Sequence, residues 1–371
     1  MEMPFYVAFL IITIIALFFI VNKRVMHGKL SNEALIYPLL CCAIFTFFLN
    51  YNKGIFSDSL DYSQYFERLQ NWTFMQAVND STVYAVAYMP GFRILSWLIS
   101  QIFPNVHFYF GVIATIIFTL VSIGLVKILR APYGIIAIIS YTMYPYFASY
   151  TALGIRQGLA LGVMFLVIAS LLRREKYRSL WWIFISFMFH NTAAVLLLLY
   201  LAVFFNIKNI FKIKNALIAW LITLILSIAD VFNIVINHII DASSLDSRYQ
   251  VYFNNGTDYI IGFRPDFVIF SLFPVIIYSL FRKKISDAKV HQLIVFYILL
   301  NCLMNLFSFM PFYDRFAAYS WMLIPLIIVS IAKDLKNKNV GMYSFGLLIF
   351  LPTVNFVLFI VYNSKWYFSS L

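Results

Sequence analysis

The chain has 371 residues, 63% of them hydrophobic and 11% charged, with a mean hydropathy of +0.87 and a formal net charge of +12. Repeated apolar runs near the ~20 residues that cross a bilayer as a helix exclude a soluble globular enzyme and predict an all-α, polytopic integral membrane protein. Cys41, Cys42 and Cys302 all fall in apolar segments, where a thiol behaves as a small hydrophobe, so neither a disulfide framework nor a metal site follows from them.

In chain order, the run at 4–21 has no basic stretch before it and no small-residue cleavage site after it, which reads as a retained first span rather than a signal peptide. Further apolar runs at 34–49, 107–126, 132–150, 157–172, 216–239, 266–281, 291–310, 316–332 and 341–362 bring the expected count to about ten spans. The segment 84–103 carries Met89-Pro90-Gly91 and Arg93 and suits an interfacial or re-entrant helix; 179–207 reads as a pair of short helices broken near His190. The longest polar stretch, about 50–85, is too short to bury a core of its own. A single transmembrane domain over 1–371 is expected, with outer-face loops at about 50–85 and 241–265.

Charge sets the topology. With the loops 22–33, 127–131, 173–178, 208–215, 282–290 and 333–339 on the cytoplasmic side, they hold 19 of the 27 Lys and Arg residues against four acids. That is the positive-inside pattern, and it accounts for the basic balance without nucleic acid as a partner. The opposite side is left with Lys53, Arg68, Arg93, Arg156, Arg248, Arg264, Arg315 and Lys365 against ten acids, and with Asp230 inside a span. Six of those eight cations are Arg, whereas six of 19 are on the cytoplasmic side. A guanidinium grips phosphate oxygens in a fork, so the asymmetry points to an outward-facing anionic ligand, with ion pairing to the outer acids as the plainer explanation.

Four groups of residues could carry chemistry. Arg156 and Gln157 open an apolar run between Gly154 and Gly158, where close backbone approach and a helix N-terminus would favour phosphate; snorkelling to head groups is the competing use. His190, followed by Asn191 and Thr192, interrupts an apolar segment and titrates in the range suited to taking a proton from a sugar hydroxyl. In residues 58–72, helical spacing would put Asp58, Asp61, Tyr62, Tyr65 and Arg68 or Leu69 on one face, as a sugar-binding surface, a general base, or a solvated amphipathic helix. Finally, Asp314 and Arg315 lie in a tight turn between spans, and Arg248 and Arg264 lie in the outer loop on the same side. Nucleotide fingerprints, Walker, HExxH and DxD motifs are all lacking in the sequence, so a cytoplasmic nucleotide-sugar enzyme has no visible site.

The chain resembles the EpsG-like group of Wzy-type polysaccharide polymerases. The resemblance rests on Asp58-x-x-Asp61-Tyr62-x-x-Tyr65-Phe66, on Ile155-Arg156-Gln157-Gly158-Leu159-Ala160-Leu161-Gly162-Val163 followed by a basic turn, on the Phe187–Tyr200 stretch around His190, and on Tyr313-Asp314-Arg315-Phe316. It implies a GT-C-like architecture in the bacterial inner membrane, with the active site facing the periplasm. The activity it implies is joining of undecaprenyl-diphosphate-linked oligosaccharide units, donor to acceptor, in O-antigen or capsule synthesis, among membrane lipids and with a chain-length regulator as a further candidate partner. It assigns Arg156 and Gln157 to the diphosphate, His190 to the active cavity, and Asp58 with Tyr62 to the sugar. Related sequences often carry an acid where Met89 stands here, which leaves that acid's role open in this chain.

The chemistry stands beside the resemblance. A diphosphate is a good leaving group, so an enzyme must chiefly stabilise its charge, align two large substrates and remove one hydroxyl proton. Arginines can do the first, so the expectation is a metal-independent glycosyl transfer without cofactor. Arg156 and Arg315 are expected on the diphosphate, with Arg248, Arg264 and Arg93 as further outer cations, and His190, Asp61 or Asp58 as the base. A flippase for the same lipid-linked sugar and an O-antigen ligase are the alternatives. A flippase would normally show internal repeats, of which the sequence offers no convincing sign.

Overall fold

The structure is a computed structural model that describes residues 32–79, 89–130, 132–205, 212–239, 261–336 and 341–368. The expected first span at 4–21 with its leader reading, Arg248, and most of the outer loop 241–265 lie outside the described residues. Every regular element among those described is helical. Val106–Leu129, Ile155–Leu172, Pro265–Lys284, Ala288–Leu306 and Asp314–Leu335 are long and apolar enough to cross a membrane, and shorter apolar helices accompany them. The chain is an integral membrane protein.

It divides into two compact units. The first comprises Met1–Tyr200 and Ile328–Leu371, the second Leu201–Ile327. In the first unit the described helices are α1 (Asn32–Tyr51), α2 (Asp58–Leu69), α3 (Phe74–Asn79), α4 (Pro90–Ile102), α5 (Val106–Leu129), α6 (Tyr133–Thr142), α7 (Pro145–Ala152), α8 (Ile155–Leu172) and α9 (Lys176–Phe189). After α9 come a short 3-10 turn, Asn191–Val195, and α10 (Leu196–Phe204), in which the unit boundary falls.

Helix α8 is the centre of this unit. It is buried without interruption from Gln157 to Leu171 and packs on α5, α7 and α9. Gly124 makes its crossing with α5 possible: a Cβ there would sit 2.4 Å from Phe165 Cβ. Small residues at helix crossings let van der Waals contact replace the hydrophobic drive that lipid does not supply. Helix α1 lies against α5 and α6, and α4 against α2, α5 and α9.

Two apolar runs are broken where the sequence alone reads as continuous, and a third segment breaks where the sequence places a break. The run 132–150 is interrupted at Met143–Tyr144, because Pro145 takes the first position of α7 and holds Tyr144 extended at φ −80, ψ 123. The segment 179–207 breaks at His190, as expected, between α9 and the 3-10 turn. Asp230, expected within a span, sits instead at an exposed break with φ 52, between α11 (Ile213–Ile228) and α12 (Val231–Ile239). Its Oδ2 accepts from Asn233 Nδ2 at 2.9 Å. Helix α4 is 13 residues, a length of about 20 Å against a hydrocarbon core of ~30 Å.

The second unit is built on α11, α12, α13 (Pro265–Phe281), α14 (Ala288–Leu306) and α15 (Asp314–Trp321), and the chain leaves it through α16 (Ile324–Lys336). A buried polar network joins its helices. Asn301 donates to Ser271 Oγ at 2.9 Å and Ser320 Oγ at 3.0 Å and accepts from Trp220 Nε1 at 2.7 Å, while Trp321 Nε1 donates to Ser271 Oγ at 2.8 Å. Such bonds between helices fix register where lipid offers no competing donor or acceptor. The final helix, α17 (Gly341–Phe368), returns to the first unit, where Asn355 Nδ2 donates to Ser140 O at 3.0 Å.

Candidate functional site

Helix α2 turns Tyr62, Tyr65, Phe66 and Leu69 inward. Phe66 stacks on Tyr109 of α5 with ring centroids 4.3 Å apart, and Gln101 of α4 donates to Leu69 O at 3.1 Å. The expected common face therefore divides: the two tyrosines are buried, Asp58 is half-buried, and Asp61 and Arg68 are exposed. A carboxylate on the packed side would lose its hydration.

Arg156 meets this face from the first turn of α8. Its Nε donates to the Tyr62 hydroxyl at 2.9 Å, its Nη1 lies 3.5 Å from the Met89 sulfur, and the guanidinium stands 5.4 Å from the Tyr62 ring centroid. The half-buried guanidinium makes no ion pair among the described residues. Among the described residues its polar contacts are a phenol and a thioether, which hold the positive charge in place without cancelling it. Gly158, two residues on, is required by the close approach of α7: a Cβ there would fall 2.1 Å from Tyr150 O. Gln157 is buried beside it.

The α9 break lies next to this turn. Ser186 Oγ donates to Ala160 O at 2.9 Å, pinning α9 to α8 four residues before His190 and four after Arg156. At the other side, Gly91 abuts Met188, whose backbone oxygen is 3.1 Å from where a Cβ would be. His190 is 6% exposed and extended, and its Nδ1 accepts from Thr192 N–H at 3.3 Å and lies 2.6 Å from Thr192 Oγ1. With Nδ1 accepting, a neutral ring carries its proton on Nε2, and the imidazole caps the 3-10 turn. Arg93, on the first turn of α4, is buried, and its Nη2 donates to Val78 O.

A second set of predicted residues gathers in the second unit. Arg264 is bound by both carboxylate oxygens of Asp266, with Nε–Oδ1 at 3.0 Å, and lies 3.9 Å over the Phe267 ring. Its charge is therefore already matched. Arg315 lies 4.8 Å over the ring of Phe312, which has φ 59, and Asp314 begins α15. Tyr313 donates to Gly262 O at 2.9 Å, and burial raises its phenol far above the ordinary range, so it remains a neutral donor. Arg156 belongs to the first unit, Arg264 and Arg315 to the second.

Three features escaped the sequence reading. Met89 is a contact of Arg156, Asp266 is the counter-ion of Arg264, and Lys53, which reads as an ordinary outer cation, is 2% exposed. Only the second had a local signal, in the two-residue spacing of the pair. Among the described residues no three His, Cys, Asp or Glu side chains gather as a metal site. The family model described as the EpsG family matches residues 35–369, across both units. Comparison with curated proteins finds no match, and neither does comparison with solved structures.

Proposed function

The chain belongs to the EpsG family of Wzy-like polysaccharide polymerases, and from that premise we propose that it lengthens a glycan by joining polyprenyl-diphosphate-linked oligosaccharide units. Transfer takes place at the periplasmic face of the bacterial inner membrane, in O-antigen or capsule synthesis, within a GT-C-like architecture. The bond from the donor's anomeric carbon to its phosphate oxygen breaks, an acceptor hydroxyl bonds to that carbon, and the hydroxyl proton passes to a base. The polyprenyl diphosphate leaves.

The observation that carries this reading is Arg156: a guanidinium fixed by neutral partners among the described residues, in the first turn of the central helix. Preorganised positive charge stabilises a departing diphosphate at the moment its charge develops, without metal. Gln157 is a further diphosphate contact, and Tyr62 and Tyr65 line the sugar. His190, Asp58 and Asp61 are the proton acceptors to be distinguished. His190 must first exchange its tautomer or give up Thr192.

The test uses purified protein with a short lipid-linked repeat unit. Ladders of longer product that persist in EDTA and vanish in folded Arg156→Ala are expected. Arg156→Lys should also be poor, because it keeps charge and loses the fork. Unchanged chain length beside measurable translocation would establish a flippase instead. A cysteine replacing Arg156 that is labelled only from the cytosol would refute the outward orientation.

A further inference from the structure

Lys53 lies in the link between α1 and α2, and its ammonium is buried. A buried lysine head group needs compensation. Here Nζ donates to Ala152 O and lies 3.7 Å from the centroid of the Phe110 ring. Among the described residues it makes no ion pair. The ring face supplies a cation–π contact, and Ala152 O lies at the negative C-terminal end of α7.

The carbonyl that Lys53 takes stands at the junction of two helices. In an unbroken helix Ala152 O would accept from Arg156 N–H, four residues on. Instead the chain turns at Leu153–Gly154, with Leu153 N and Gly154 N both donating to Ser149 O, and α8 begins afresh at Ile155. Two helices with a gap replace one continuous rod, and Arg156 stands in the first turn after that gap. Lys53 also precedes α2 by a few residues, so a single side chain ties the stretch leading to Tyr62 to the stretch leading to Arg156.

We propose that Lys53 is a positioning residue for Arg156: by holding Ala152 O it ends α7 and fixes the turn from which the guanidinium is presented to its anionic ligand. The inference rests on the reading of Arg156 as the diphosphate contact. Burial also pushes the Lys53 ammonium down to about 7, and the neutral amine formed above that pH still donates to the carbonyl, though less strongly. His107, which the structure ties to the same link, engages Tyr51 O at 2.8 Å.

The experiment measures binding of radiolabelled farnesyl diphosphate to the full chain in detergent, beside turnover of a lipid-linked repeat unit. Lys53→Met, which keeps the length and loses the donor, is expected to weaken binding about tenfold, the scale of one charge-assisted hydrogen bond. It should raise KM while leaving kcat within about twofold, and Lys53→Arg should recover part of the loss. Weak binding by Arg156→Ala with wild-type binding by Lys53→Met overturns the positioning role and leaves the diphosphate reading standing. Wild-type binding by Arg156→Ala overturns both. Should Lys53→Met fail to fold, Phe110→Leu gives the decision: a loss of about threefold from the missing ring face is expected, and unaltered binding refutes the proposal.

Discussion

Arg156 and Tyr62 are 94 residues apart in sequence and joined by a 2.9 Å hydrogen bond from Nε to the phenol oxygen. The bond uses the guanidinium's inner edge. A phosphate would be met by the two terminal nitrogens, so Tyr62 acts as a hinge pin for the fork. Tyr62→Phe should leave the ring packing against Phe92 intact and release the guanidinium. The expected result is a KM about fivefold to tenfold higher with unchanged fold, read from initial rates of elongation.

Met89 sets the charge beside that fork. Its sulfur lies 3.5 Å from Nη1 and it is buried. Met89→Glu would place a carboxylate there and pair with Arg156, so diphosphate affinity should fall by about tenfold or more, while Met89→Leu should stay close to wild type. Dialysis against farnesyl diphosphate compares the two directly. Equal affinity in both variants would mean that the guanidinium does not bind the probe.

His190 has two separable duties. Its Nδ1 caps the 3-10 turn, and Asn is also a good cap. His190→Asn should therefore keep the thermal midpoint within a few degrees, and elongation should fall by about a hundredfold if the ring handles the proton. Retained activity in a folded His190→Asn protein would restrict the histidine to capping and move the base to Asp58 or Asp61.

Gly158 is the steric counterpart. Ala at this position would press its Cβ into Tyr150 O, which is backbone and cannot rotate away. Gly158→Ala should lower stability by about 2 kcal/mol or more and reduce the yield of monodisperse protein.

Lys53 makes stability depend on pH in a defined direction. Its folded value of about 7 is below the ordinary lysine value of 10.5, so between those limits the unfolded chain binds more protons than the folded one. Its contribution is then most favourable above the unfolded value, shrinks as pH falls, and is gone below the folded one. The thermal midpoint in detergent should rise with pH across that window, and Lys53→Met should flatten the rise.

Much of this architecture was legible in the sequence because lipid constrains it. Continuous apolar stretches such as 107–126 became single helices, and Pro145 explains why 132–150 did not. Arg156 and His190 stood out because a polar group in an apolar run is conspicuous. Their surroundings were hidden for the opposite reason. Tyr62, Met89 and Arg156 sit on three separate segments whose meeting depends on packing, and no spacing along the chain encodes it. Lys53 was invisible because a lysine in a polar link reads as solvated, and only the fold reveals that Phe110 and Ala152 enclose it.

Helix α8 is enclosed by protein along nearly its whole length, so an isoprenoid cannot lie against it. A carrier whose head reaches Arg156 must keep its tail elsewhere, in the surrounding bilayer. Head and tail are then read in different media, and the enzyme should discriminate carriers by the sugar and the pyrophosphate while tolerating wide variation in the number of isoprene units.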